Sequence, residues 1–399
     1  MPPTVLHLST YAANGGAARA ASTLHEAMAR EGVDSTLVTA HGPRFRIASE
    51  LDRRLWRLQR SPTSTWRSPA RFGSLSARAI NATDADVVNL HWVTDGFLTI
   101  EQIGRIEKPV VWTLYDMWVF CGTEHYGVDS PDARWRTGYT KANRPVDESG
   151  WDIDRNAWER KRRHWRPSQV VPASTWLTSS TSASALMGGW PITRIPHVVD
   201  AGAFAPMTRD DARRQLGLPI DAPLVLFLAS AGIIDRRKGF DLLEQALPAV
   251  RAAHPDVRVV FVGPPSPDYR SASGVPIHWH GAVHGNEALR LLYGASDVLA
   301  APSREDNMPL TAMEAQTCGR AVVAFDIGGL PDIVEHHATG FLAPQGDTDA
   351  LADGIVQAIG DARGDNVWGG QARDRALATW SGPEVVRQYL EVYSRALSP

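Results

Sequence analysis

An α/β architecture with two doubly wound parallel sheets is predicted by three observations. Short apolar runs alternate with helix-like stretches, the alternation occurs twice, and a proline-bearing join separates the two rounds. The first round opens with the strand Val5-Leu6-His7-Leu8 and the loop Asn14-Gly15-Gly16. Residues 17–31 then read as a helix closed by Gly32, and Ser35-Thr36-Leu37-Val38-Thr39 as the next strand. Residues 86–91 and 109–114 are further strands with a helical piece between them. From about 115 to 168 the rhythm breaks into a stretch rich in Trp, Arg, Asp and Pro, which reads as a long functional insertion. Sheet order resumes at 169–174.

The join runs from Ile195 to Pro223 without a long periodic pattern. Beyond it lie a strand at 224–229, a helix at 241–253 and a strand at 257–262. The strand Val298-Leu299-Ala300-Ala301 follows, then a polar loop, a helix and the strand ending at Phe325. Pro309 suits the first position of that helix, where its missing N–H costs nothing, and Gly319 suits its end. Residues 383–397 form a last helix. In such folds a ligand is expected in the cleft at the carboxyl ends of the strands.

Composition narrows the function. A formal charge of −3 and 43% apolar residues describe a globular chain, and the near balance of charge excludes bulk nucleic-acid binding. Two cysteines, Cys121 and Cys318, supply neither a disulfide framework nor a Cys-based zinc site. No basic leader followed by an apolar core is apparent at the start, and no run nears the roughly 20 residues that cross a bilayer, so a cytoplasmic protein is expected. Arg53, Arg54, Arg57, Arg60, Arg67, Arg71 and Arg78 occur without an intervening acid, with Leu51, Leu55, Trp56 and Leu58 among them. Two readings apply: a basic amphipathic segment resting on anionic lipid, or a solvated basic face. The triplets Asp84-Ala85-Asp86, Asp152-Ile153-Asp154 and Asp347-Thr348-Asp349 share no context, and no metal or cofactor is predicted.

The stretch from Ser303 to Glu314 carries the most chemistry. Asp306 lies in a loop and Glu314 on the helix, with Leu310 and Thr311 about one turn before it. Free N–H groups at a helix start attract phosphate, and a nearby carboxylate can accept the hydroxyls of a ribose. The cations of Arg236-Arg237-Lys238-Gly239, ahead of another helix, suit a departing diphosphate. Gly15 and Gly16 let backbone approach a bound group. Acid pairs and Gly-Gly turns also arise by chance, so context must decide.

That context is supplied by Asp326-Ile327-Gly328-Gly329-Leu330-Pro331 and Thr339-Gly340-Phe341-Leu342, which follow in order. Together these segments resemble the acid-x7-acid region of retaining glycosyltransferases of family 4, whose fold is GT-B: two Rossmann-like domains facing across a cleft. The resemblance implies an acceptor-side domain over 1–198, a nucleotide-sugar domain over 199–380, and a helix over 381–399 packing back on the first. Lys238-Gly239 matches the family's Lys-Gly pair. The family's Arg falls at Ile233, so Arg237 or Arg236 stands in. Asp306-Asn307-Met308-Pro309 replaces the commoner Glu-Gly-Phe-Gly. Trp112 to Tyr126 is similar to a TLHDMWxFTGxCHY segment of a subgroup that builds surface polysaccharides, with Tyr115 in place of a His and Glu124 in place of a Cys.

The resemblance implies transfer of a sugar from a nucleotide-sugar donor, expected to be a UDP-sugar, to a hydroxyl of a glycan, lipid-linked intermediate or small natural product. Lys238, Asp306, Glu314 and Asp116 are the expected catalytic groups. Gly15, Gly16, Arg237, Asn307, Leu310 and Thr311 join them in donor binding, and His91, Asp116, His125 and Tyr126 face the acceptor. Two rivals remain: a nucleotide-sugar epimerase or phosphorylase of the same fold, and a nucleotide-sugar-binding protein without activity. The many tryptophans read mainly as core, with some available to sugar faces.

Overall fold

The computed structural model describes residues 2–13, 15–62, 66–266 and 268–398. The chain divides into two compact units, one of residues 1–196 with 385–399, the other of residues 197–384.

The first unit contains β1 (Val5–Ser9), α1 (Gly16–Arg30), β2 (Ser35–Thr39), α2 (Gly42–Trp56), β3 (Gln59–Arg60), α3 (Ala77–Asn81) and β4 (Val87–Leu90). It continues through α4 (Ile100–Ile103), β5 (Val110–Leu114), α5 (Arg134–Thr137), β6 (Ser149–Gly150), α6 (Ile153–His164), β7 (Gln169–Pro172) and α7 (Thr175–Ser182). Its main sheet has the order β2-β1-β4-β5-β7, with every neighbouring pair parallel. Strands covered on both faces become nearly continuous apolar runs, which is why β1, β4 and β5 are buried along almost their whole length. The order reverses between β1 and β4, so the loops after those two strands diverge and leave a crevice at their carboxyl ends.

In the second unit come α8 (Arg209–Leu216), β8 (Leu224–Leu228), α9 (Phe240–Ala253), β9 (Arg258–Val262), β10 (Ile277–Gly281), α10 (Asn286–Ala295) and β11 (Val298–Ala301). Then follow α11 (Leu310–Thr317), β12 (Ala321–Phe325), α12 (Leu330–Ile333), β13 (Gly340–Ala343), α13 (Thr348–Arg363) and α14 (Val367–Trp380). The sheet order is β10-β9-β8-β11-β12-β13, again all parallel. This is the dinucleotide-fold order, and its reversal point lies between β8 and β11. The last helix, α15 (Gly382–Leu397), belongs to the first unit from Val385 onward.

Four sequence expectations need correction. The join contains a helix, α8, capped by Thr208 at its start and by Gly217 at a φ of 65° at its end. Pro309 stands at the N-cap of α11, with an extended ψ of 118°, rather than inside the first turn. The stretch from 115 to 168 stays out of the main sheet but does not lie apart from the core. Trp118, Phe120, Trp135, Tyr139, Trp158 and Trp165 sit in the same buried cluster as Leu8, Leu90 and Trp112. The basic run is not one solvated face either, because Arg67 is buried against Glu148 and Asp154.

Candidate functional site

At the reversal point of the second unit, β8 runs into two short 3-10 turns, Gly232–Ile234 and Arg236–Lys238. The carboxylate of Asp235 accepts from the Arg237 amide at 3.2 Å and sets the second turn. Gly239 follows with φ 74°, and a Cβ there would stand 1.9 Å from the Pro302 carbonyl. Only glycine lets this loop close on the segment leaving β11. The closure is completed by the Arg304 amide, which donates to the Arg237 carbonyl at 2.8 Å.

Lys238 and Asp306, 68 positions apart, meet here: Lys238 Nζ donates to Asp306 Oδ2 at 2.7 Å. Ser303 Oγ adds a bond of 3.2 Å to the same oxygen, and an Arg237 guanidinium nitrogen lies 3.6 Å from it. Burial alone would raise the Asp306 carboxyl, but the charges of Lys238 and Arg237 outweigh it and hold the group below its ordinary value. Arg237 also donates to the Glu305 carbonyl at 3.0 Å. Arg304 turns away to a two-bond pair with Asp241. Ile233, at the family's arginine position, packs against the apolar core.

Beyond Asp306, Asn307 and Met308 are buried and α11 begins at Leu310. Glu314 is only 2% exposed, and its Oε2 accepts from the Tyr293 hydroxyl at 2.8 Å. Lys238, Arg237 and Asp306 thus form one charged clasp, while Glu314 is fixed from α10. A cavity of about 440 Å³ lies beside the clasp, lined by Arg236, Arg237, Arg304, Glu305, Phe325 and Gln345 among others. Arg237 is the one clasp member that reaches it.

The first unit presents two polar groups at its strand ends. His91, just after β4, bonds Tyr115, just after β5, at 2.8 Å, and its other ring nitrogen lies 2.9 Å from His7 on β1. Asp116 Oδ2 is held by His125 at 2.6 Å and by the Trp92 indole N–H at 3.1 Å. Ser68 contacts the far nitrogen of His125 at 2.8 Å, and the rings of Trp92 and Trp118 stack on the imidazole. Tyr126 is stacked on Trp176. Gly15, with φ 90°, caps α1 and Gly16 starts it, whereas Asn14 lies outside the described residues.

Sequence reasoning missed several supports. Tyr293 is 21 positions from Glu314 and lies on another element, so no spacing rule joins them. The sequence marks Tyr115 only as a departure from the family's pattern and carries no signal that joins it to His91. Asp95 binds Tyr11, Ser49 and Arg53 together, and its only sequence signal was the turn at Thr94-Asp95-Gly96. Glu124, at the missing cysteine's position, accepts from Tyr139 at 3.1 Å. Burial, reinforced by the charge of Asp154, pushes its carboxyl up to about 7.

Comparison with known proteins follows the same division. Residues 14–202 match the model for Glycosyltransferase Family 4, and residues 222–361 match that for Glycosyl transferases group 1. A D-inositol 3-phosphate glycosyltransferase of Actinosynnema mirum is 33% identical, over 60% of this chain and 65% of its own length. One from Xylanimonas cellulosilytica is 35% identical over 57% and 58%. The chain therefore spans less than two thirds of the length of these curated relatives. Among solved structures, sucrose-phosphate synthase from Thermosynechococcus elongatus superimposes with a TM-score of 0.67 at 19% identity, covering 98% of both chains. HepE of Anabaena, in complex with UDP and glucose, gives 0.64 at 18%, covering 98% of this chain and all of its own. Matched by sequence in both halves and by architecture along its length, the chain belongs to the family 4 glycosyltransferases of GT-B fold.

Proposed function

We propose that this chain transfers a sugar from a UDP-sugar to an acceptor hydroxyl, with retention of configuration at the anomeric carbon. The observation that carries the reading is the clasp of Lys238, Arg237 and Asp306 at the reversal point of the second sheet, with Glu314 fixed on the adjoining helix. As the glycosidic bond breaks, negative charge grows on the diphosphate, and Lys238, Arg237 and the amides of Leu310 and Thr311 stabilise it. Glu314 accepts the ribose hydroxyls, and Asp306 with Asn307 orients the sugar. The departing phosphate oxygen takes the acceptor's proton as the new bond forms, so no protein nucleophile is required. Asp116, with His91, His125 and Tyr126, orients the acceptor in the first unit. HepE, solved with UDP and with UDP-glucose, supports a uridine donor by likeness of fold.

Calorimetric titration with UDP tests this directly. Glu314→Ala should weaken UDP binding by about tenfold or more while leaving the folded structure intact. Unchanged affinity would remove Glu314 from the donor site. A mass-spectrometric screen of nucleotide-sugars against glycan and small-molecule acceptors decides between reaction classes. Donor turnover without an acceptor product points to an epimerase-like reaction, and tight UDP binding without turnover to a binding protein.

We also infer peripheral contact with anionic lipid through α2. This helix turns Ile47 and Leu51 outward, 62% and 39% exposed, and Leu58 just past its end is 55% exposed. Arg44, Arg54 and Arg57 flank that stripe, with Arg60 beyond it, all exposed. Trp151, itself 45% exposed, is tied to the Leu58 carbonyl through its amide. Apolar and aromatic side chains set among arginines suit the headgroup boundary of a bilayer. Among the described residues no helix is long and apolar enough to cross a membrane. Sedimentation with vesicles containing phosphatidylglycerol should capture the chain, and Ile47→Glu with Leu51→Glu should release it. Equal capture by neutral vesicles would remove the arginines from the argument.

A further inference from the structure

A cavity of about 410 Å³ opens at the amino edge of the first sheet, where β5 and β7 begin. That volume lies within the range of about 300–1,000 Å³ usual for small-molecule sites. β5 runs from Val110, which lines the cavity, to Leu114, and Asp116 stands just beyond that other end. Four residue steps of about 3.3 Å put the two edges of the strand about 13 Å apart.

The wall is built by a close joint between α4 and α6. α4 ends at Gly104, where a Cβ would stand 2.4 Å from the His164 carbonyl, so only glycine lets the two helix ends meet. The Trp165 indole N–H fastens the same joint by donating to the Ile100 carbonyl at 2.9 Å. Two cations on the rim are anchored as well. Lys108 Nζ donates to the Ala85 carbonyl at 2.8 Å, and Arg395 on α15 donates to the Thr193 hydroxyl at 3.1 Å.

Charge and shape together define what fits. Lys108, Arg166 and Arg395 face a single acid, Glu107, among the described lining residues, which leaves two net positive charges with His164 counted neutral. An ammonium has three donors and a guanidinium five, so Lys108 and Arg395 keep donors beyond the bonds that anchor them. The side chains of Arg166 and His164 make no hydrogen bond or ion pair among the described residues. Much of the remaining lining is aliphatic, with Ile103, Ile106, Val110 and Pro191. Trp112 and Trp165 also border the cavity, but at 1% and 8% exposed they offer little open ring face. Such a wall suits an alkyl chain better than a flat ring.

We propose that this cavity binds an alkyl phosphate, with its head group among Lys108, Arg166 and Arg395 and its chain along Ile103 and Ile106. Guanidinium groups pair with phosphate oxygens two bonds at a time, and each buried methylene adds to affinity. The ligand joins the ends of α4, α6 and α15 to the starts of β5 and β7, so it acts as an effector that stabilises the first unit. The inference stands apart from the transferase reading, because no residue of the donor clasp or of the acceptor set lines this cavity.

Calorimetric titration of the full chain with octyl phosphate, kept below its micelle concentration, tests the site. Binding should be saturable, at least tenfold tighter than that of inorganic phosphate, and should raise the first unit's melting transition as the concentration rises. Octyl glucoside, with the same chain and a neutral head, should bind at least tenfold more weakly. Arg166→Gln with Arg395→Gln should weaken octyl phosphate about tenfold or more, and Ile106→Glu should weaken it from the apolar side. No saturable binding would overturn the proposal, as would equal affinity for octyl glucoside or for inorganic phosphate. Ile47→Glu with Leu51→Glu, which alters α2, should bind octyl phosphate like wild type, and loss of binding there would move the probe to that helix and overturn the site. UDP titration reads the transferase reading separately: a chain that binds octyl phosphate but no UDP counts against that reading and not against this cavity.

Discussion

At Asp306 two opposing forces meet, and their balance predicts a pH dependence. Burial favours the neutral acid, while Lys238 and Arg237 favour the carboxylate and prevail. A group whose value is depressed on folding contributes stability above its unfolded value and loses it as pH falls through the folded one. The ordinary value is 3.8, so the clasp should be fully effective through neutral and mildly acidic conditions and should fail only below that point. Asp306→Asn should therefore cost about 1–3 kcal/mol at neutral pH, the worth of a bond between charged groups at a buried site. The difference in melting temperature from wild type should stay level down to about pH 5 and shrink towards zero below 3.8. A difference that vanished near neutrality would show that Lys238 does not engage a carboxylate. Glu124 has the opposite sign. Its raised group stabilises the fold below the ordinary value of 4.5 and loses that contribution as pH climbs through about 7. Glu124→Gln, which mimics the protonated form, should be nearly neutral in acid and should raise the melting temperature in alkaline buffer.

Loops are shaped here by glycines that no side chain could replace. Gly328 has φ 55°, and a Cβ on it would stand 1.9 Å from the Asp306 carbonyl, while the next amide, that of Gly329, donates to the same oxygen at 3.1 Å. Gly328→Ala must displace Asp306, so it should cost about 2 kcal/mol or more and weaken UDP binding beyond what stability alone explains. Gly360→Ala supplies the contrast: it lies inside α13 with open space around its Cβ position, and should raise stability by up to about 1 kcal/mol. Thermal melts beside UDP titrations would separate the two, and equal effects would deny the loop its role. The same physics decides what the sequence could reveal. Strands buried on both faces, such as β8 and β12, were legible because their apolar runs are nearly unbroken. The edge strand β10, Ile-His-Trp-His-Gly, has no such run and was missed. The helix α8 carried a readable cap in Thr208 and Asp211, yet its short polar run hid it. Asp306 and Lys238 could be named from local motifs, but their meeting depends on sheet order, which no local pattern encodes.

For the molecule as a whole, the last helix ties the end of the chain to its beginning. In α15, Val385, Val386, Tyr389, Val392 and Tyr393 are all 2% exposed or less, although they come more than two hundred residues after β7, the first unit's final strand. Two of them answer buried polar groups in the sheet. The Tyr393 hydroxyl accepts from Asn89 on β4 at 2.7 Å, and the Tyr389 hydroxyl lies 3.1 Å from Thr113 on β5. Asn89 and Thr113 are bonded to each other at 2.9 Å, so removing the helix would strip partners from a buried pair as well as expose apolar surface. Each buried side chain contributes about 1.5–3 kcal/mol, so the helix should supply at least ~5 kcal/mol, comparable with the whole margin of a typical domain. A chain ending at Glu384 keeps the second unit entire. In calorimetry it should retain the second unit's transition and show the first unit's transition markedly lowered or absent. Tyr389→Phe with Tyr393→Phe keeps the apolar area but removes the hydroxyls, and should lower the first transition by a smaller amount. Should the shortened chain melt like the full one, the helix would be an appendage, and the first unit would have to owe its stability to the sheet and the tryptophan-rich insertion alone.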